Sequence, residues 1–195
     1  MCVLNPKVQP MEHPFINKHL AEAALRLSLP SIEAMLQSGV TKRKHLCIFI
    51  GLADVDEESG FKQLHRHNIG DPEEWEHHYD EYALAKAVRT VRESEDTINL
   101  DQQPWTVAEG DTVYFGSAQT DDMIVAASGV EAHFDTMFSR TIVTQLEGLC
   151  RHIWDLFKKD GQYDILDGPG IERLRQIRDE VAEEIIGEAI LSEPA

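Results

Sequence analysis

The apolar positions of the chain alternate between helical and strand-like periods. From Ile16 to Ser38, the residues Ile16, Leu20, Ala23, Ala24 and Leu27, then Ile32, Met35 and Leu36, recur at helical spacing. Pro30 has no N–H to donate and restricts Leu29, so the pattern predicts a helix pair or one kinked helix. The second helix would begin at Pro30, and Gly39 would close the element. His45–Ala53 (HLCIFIGLA) is a continuous apolar run rich in Ile and Phe, which predicts a central strand covered on both faces. After a polar loop from Asp54 to Gly60, the more polar Phe61–Asn68 completes a hairpin.

Asp71-Pro72-Glu73-Glu74 combines a capping carboxylate, a first-turn proline and an acid three residues after the cap. It predicts a helix from Pro72 to about Glu93. That helix carries two stripes, Trp75, Tyr79 and Tyr82 on one side and Leu84, Val88 and Val91 on the other. Lys86 falls four residues after Tyr82 and seven after Tyr79, on the aromatic side. Two accounts of it stand: a lysine stem covering the rings with its ammonium in water, or a pocket lysine facing an anionic ligand.

A loop from Asp96 to Asp111 leads to two more strand-like runs, Thr112–Ala118 and Met123–Ser128, joined by a turn over Gln119–Asp122. The stretch from Asp122 to Asp135 is the most site-like in the chain. A short buried strand breaks at Ser128-Gly129 and re-enters a helix whose acidic first turn offers unsatisfied N–H groups. That helix runs from His133 to about Phe157 with a broad apolar face. Gly161 and the Gly-Pro-Gly of residues 168–170 precede a last helix, Ile171–Leu191, with a narrower apolar seam. The seam suits packing on the same chain and packing on a second copy equally well.

With 195 residues, the chain matches one core rather than two. Asp and Glu outnumber Lys and Arg by 35 to 18, giving a formal charge of −17, which repels a phosphate backbone or an anionic membrane. Nucleic acid and membrane are therefore not expected partners. The acidity reads first as solubility and second as an acidic interaction surface. Cys2, Cys47 and Cys150 are odd in number and widely spaced, which argues against a disulfide framework or zinc knuckle and for a reducing, cytoplasmic setting. No run of about 18 apolar residues occurs, and the N-terminal sequence lacks an apolar stretch of signal-peptide length.

The order helix, hairpin, helix, hairpin, helix resembles the family that contains GlcG, the secreted haem-binding protein HbpS and the C-terminal domain of PduO. Residues Ile124–Gly129 (IVAASG) followed by Asp135 are similar to the family's strand, its VSG turn and the acid opening the next helix. Lys86-Ala87 followed by Thr90 resembles its K-A-x-T-A helix, and His65-Arg66 after the first hairpin is a weaker likeness. Two features differ: Gly116 alone stands where the family has Gly-Gly-x-Pro, and Val91 replaces the second alanine. The resemblance implies an α/β (α+β) domain with a five-stranded antiparallel sheet flanked by helices in a profilin-like layout. It covers 16–157, after an irregular arm at 1–15 and before a C-terminal helical extension at 158–195 that has no counterpart in the family. It also implies symmetric homo-oligomers and, in several members, binding of haem or another anionic tetrapyrrole, with no common reaction.

Haem needs one axial ligand, for which His19, His65, His67 and His133 are candidates, His19 first by its place before the first helix's apolar run. Its propionates would be met by Lys86, Arg66 or a helix N-terminus. The candidate ligand-binding set is therefore His19, Arg66, Lys86, Ser128, Gly129, His133 and Asp135. A metal site is not indicated, since neither His65-x-His67 nor His77-His78 has an acidic partner at zinc-site spacing. Nor is a catalytic nucleophile: GxSxG, GxGxxG and phosphate-binding loops are missing, Cys47 sits in the most apolar strand and Cys150 within a helix. His133 and Asp135, two apart on a helix, do not point together as an acid/base pair. The expected function is binding of a small anionic ligand, haem foremost; the alternative is a non-catalytic oligomeric interaction protein without a cofactor. Whether any reaction is catalysed is left open by the sequence.

Overall fold

The structure, a computed structural model, describes residues 13–54, 56–94, 96, 108–160 and 167–192, with side chains through residue 187. Its elements are α1 (Lys18–Gln37), β1 (Leu46–Ala53), β2 (Phe61–Ile69), a three-residue 3-10 turn (Pro72–Glu74), α2 (Tyr79–Glu93), β3 (Ser117–Thr120), β4 (Met123–Ser128), α3 (Ala132–Asp160) and α4 (Gly168–Ser192). The strands form an antiparallel sheet in the order β2-β1-β4-β3.

The continuous apolar run of β1 has the cause its sequence suggests, because both of its faces are covered. Leu46, Ile48 and Ile50 point toward a layer built from α1 and α3, together with Val125 and Ala127 of β4. Cys47 and Phe49 point the other way, with Ile124 and Ala126, onto Tyr79, Ala83 and Ala87 of α2. The helix α4 packs on α1 and α3 through Leu174, Ile177, Val181 and Ala182, so its seam is covered by its own chain. Burying a side chain such as Phe138 of α3 contributes about 1.5–3 kcal/mol, and the α1/α3 layer contains many of that size.

Four details depart from the sequence reading. The sheet has four strands among the described residues, not five. Thr112–Phe115 does not join β3: Asp111 is held by Arg92 at 2.7 Å, Tyr114 N–H donates to the Thr112 hydroxyl, and Gly116 turns the backbone at φ +146° before pairing begins. Most of the predicted loop from Asp96 lies outside the described residues, as do residues 1–12 of the expected N-terminal arm and the punctuating Gly161.

The break expected at Pro30 is also missing, since α1 runs through it. Leu25 on one side of the proline and Ile32 and Leu36 on the other enter the same core, and their burial outweighs the cost of about 3 kcal/mol for a proline inside a helix. Finally, α2 starts at Tyr79 rather than Pro72. Asp71 caps only the 3-10 turn, accepting from Glu73 N–H at 2.9 Å, and the polar Glu76-His77-His78 run has no apolar residue to anchor a helix.

Candidate functional site

The register of β1 with β4 decides which residues meet. Cys47 lies opposite Ser128, so the chain leading into β1 passes the turn that leaves β4. At that turn Gly129 has φ +154°, and an added Cβ would collide with the His45 carbonyl, so the two segments approach as closely as backbone allows. The turn delivers the chain into α3, where Asp135 sits in the first turn and its Oδ1 accepts from the Val130 N–H at 3.3 Å.

From the opposite layer, α2 points Lys86 through the edge of the sheet at this carboxylate. Lys86 is 0% exposed and Asp135 2%. Lys86 Nζ donates to Asp135 Oδ2 at 2.9 Å and to the Ala127 carbonyl at 2.8 Å. Gly116 supplies the room: a Cβ there would stand 2.5 Å from the Asp135 Cβ and 2.8 Å from Lys86 Nζ. The Gly116 carbonyl is in turn held by Ser139 Oγ at 2.7 Å and Ala127 N–H at 3.0 Å. One turn along α2, the Thr90 hydroxyl donates to the Lys86 carbonyl and lies 2.5 Å from the Ser117 hydroxyl.

Burial pushes the Asp135 carboxyl up to about 6, against the pull of Lys86, and pushes the Lys86 ammonium down, against the pull of Asp135. Desolvation thus narrows the gap between the two proton affinities, the condition for passing a proton between them.

A cavity of about 70 Å³ borders this pair. Lys86, Asp135, Ser128, Gly129 and Val130 are buried around it, Tyr79 and Tyr82 stand beside them, and Arg43, His77 and Tyr114 line it from exposed positions. At that volume the cavity is well below the roughly 300–1,000 Å³ of a drug-sized site and suits a small ligand. The Lys86 charge is matched by Asp135, and Arg43, the Ser128 and tyrosine hydroxyls and the nearby N-terminus of α3 are the features that suit an anion.

Of the residues expected to bind ligand, Lys86, Ser128, Gly129 and Asp135 come together here. Arg66 does not: it lies over the Phe49 ring at 5.5 Å and pairs with Asp80 at 3.2 Å. His19 is exposed at the start of α1, and His133 is exposed on α3, its ring tilted against that of Phe134, while Asp135 points inward. His65 and His67 face α1, where burial lowers both imidazoles and Glu22, Glu33 and Arg26 act on them. Lys86 keeps its head out of water, which rules out the surface account. Arg43, His77, Tyr114 and Gly116 were not singled out from sequence as site residues.

Elsewhere, the Cys47 thiol is pushed up to about 12 and that of Cys150 to about 11 by burial. No group of three His, Cys, Asp or Glu among the described residues is placed to hold a metal ion, and no described helix is long and apolar enough to cross a membrane. A second, larger hollow of about 530 Å³ lies between Phe15, Ile16, Met123, Cys150 and Trp154, with His13 and Arg151 on its border.

No family model and no curated protein matches the sequence. Among solved structures, the crystal structure of a double mutant of HbpS from Streptomyces reticuli matches 74% of this chain and 95% of its own, at 15% identity and a TM-score of 0.51. At that identity the likeness is one of fold: the chain has an HbpS-like α+β architecture, with a four-stranded antiparallel sheet in the described residues.

Proposed function

We propose that the protein binds a small anionic ligand in the cavity beside Lys86. The observation that carries this is the placement of a fully buried lysine at the wall of a cavity that also has Arg43 and the start of α3. Burying a charged pair is a poor way to gain stability, because desolvation consumes most of the attraction. A pair kept at a cavity wall, with an arginine and backbone amides beside it, has a binding role that explains its retention. Thermal-shift and calorimetric titration with acetate, formate and phosphate tests this. Saturable stabilisation that is lost in Arg43→Gln supports the pocket, whereas equal stabilisation of the variant or none at all removes it.

Haem is the second reading, favoured by the HbpS-like fold. A tetrapyrrole needs a site in the range of about 300–1,000 Å³, larger than the Lys86 cavity. The hollow lined by Phe15, Met123 and Trp154 has that size and an apolar wall, and the imidazole on its border is His13 rather than His19. An absorbance titration with haemin against His13→Ala and His19→Ala separates these: a shifted Soret band weakened only by His13→Ala places haem in this hollow. A flat titration, together with a ligand-free oligomer in sedimentation, favours the interaction-protein alternative.

A further inference from the structure

The cavity wall carries a primary amine, and its surroundings make that amine a nucleophile rather than only a cation. A lysine becomes nucleophilic when desolvation disfavours its charge and a base stands within hydrogen-bond reach. Lys86 meets both conditions: its side chain is fully buried, and Asp135 Oδ2 is 2.9 Å from Nζ. Asp135 is itself sealed from water and accepts from the backbone at Val130, so it is fixed in place as a proton carrier. Gly116 lets its backbone pack directly against Nζ, where a Cβ would stand 2.8 Å from it. On the same cavity, Arg43 and the turn entering α3 offer a seat for a carboxylate. A short-chain 2-oxo acid is a small ligand that satisfies the arginine with its carboxylate and presents an electrophile to the amine.

We infer that the pocket takes a short-chain 2-oxo acid and holds it as an imine on Lys86. This rests on the anion-binding reading of the same cavity. The Lys86 ammonium passes a proton to the Asp135 carboxylate, and the freed Nζ lone pair adds to the ketone carbon, forming the C–N bond as the carbonyl π bond breaks. Asp135 returns its proton to the new alkoxide and takes one from nitrogen, giving a neutral carbinolamine. It then protonates the hydroxyl, which leaves as water while the C=N bond forms. The products are an iminium on Lys86, the Asp135 carboxylate beside it and one water; no electron changes hands and no other reactant is needed. The ion pair present before the reaction is thus restored after it, with the iminium in place of the ammonium.

The experiment is incubation of the intact protein with pyruvate and borohydride, followed by intact-mass measurement and peptide mapping. Hydride reduction fixes the imine as a stable secondary amine. The expected result is a single adduct on the peptide containing Lys86, suppressed by excess acetate. Lys86→Arg, which keeps the charge but has no primary amine, is expected to show none. Arg43→Gln is expected to need several-fold more pyruvate for half-labelling. Mapping of the unmodified chain's own adduct stands even where Lys86→Arg does not fold. Adducts scattered over surface lysines with Lys86 unlabelled overturn the inference. Stabilisation by acetate without any adduct overturns the imine and leaves the anion pocket standing. Absence of both stabilisation and adduct removes the pocket itself.

Discussion

Gly116 and Asp135 approach so closely that a Cβ on the glycine would lie 2.5 Å from the Cβ of the aspartate. Backbone at φ +146° already disfavours any other residue there, and the neighbours at fault are the Asp135 Cβ, the Ala127 carbonyl and the Lys86 Nζ, which is held by its own hydrogen bonds. Gly116→Ala is expected to destabilise the fold by about 2–4 kcal/mol, seen as a lower denaturant midpoint. An unchanged midpoint would mean that α2 and α3 can part without loss.

The Lys86–Asp135 pair predicts a double-mutant cycle with strong coupling. Removing one partner leaves the other buried and uncompensated, so Lys86→Met or Asp135→Leu alone is expected to lose about 3–5 kcal/mol. The double variant puts two apolar side chains in contact and is expected to recover much of that loss. Additive losses in urea unfolding would show that the two residues do not act as a pair.

The raised Asp135 carboxyl sets the sign of a pH effect. Its folded value of about 6 stands above the ordinary 3.8, so between those values the folded chain keeps a proton that the unfolded chain has released. The contribution of Asp135 to stability is complete below the lower value and declines as pH rises through the higher one. Stability of the wild type minus that of Asp135→Asn, measured by denaturant titration across this window, is expected to fall with pH. A difference that rises with pH contradicts the burial of this carboxyl.

The parts of the site that lie on one element were readable from sequence. Lys86, Tyr79 and Tyr82 share a helix face by their four- and seven-residue spacing, and Ser128-Gly129 and Asp135 belong to one strand-turn-helix passage. Arg43 was not, because only the pairing of Cys47 with Ser128 carries the residues before β1 to the turn after β4. Tyr114 and Gly116 were hidden for a related reason. The apolar Val113-Tyr114-Phe115 reads as strand, yet Val113 and Tyr114 are 68% and 53% exposed and the sheet begins only after the glycine bends the chain. The alternation of layers was legible in β1, whose unbroken apolar run needed cover on both faces. The fifth strand came from resemblance alone, and the sheet of the described residues has four.

Pro30 offers a test of how far packing overrides local preference in α1. Its ring is exposed, so replacement removes no core contact, and alanine restores an N–H for the Arg26 carbonyl. The gain of about 3 kcal/mol from a better helix former is reduced by about 1 kcal/mol through the freer unfolded chain. Pro30→Ala is expected to raise stability by about 1–2 kcal/mol in thermal unfolding. A loss would indicate that the proline shapes a bend which the core needs.

The clasp between the two ends of the described chain has a consequence for biosynthesis. Asn17, which caps α1, donates to Asp179 at 2.8 Å, and the buried Arg178 donates to the carbonyls of His13 and Pro14. These bonds join residues more than 160 positions apart, so α1 leaves the ribosome long before α4 exists to cover it. At about 5–20 residues per second, that interval lasts roughly ten to thirty seconds. Throughout it, a flank of the nascent chain stays open to chaperones, and the arrival of α4 is the event that closes it.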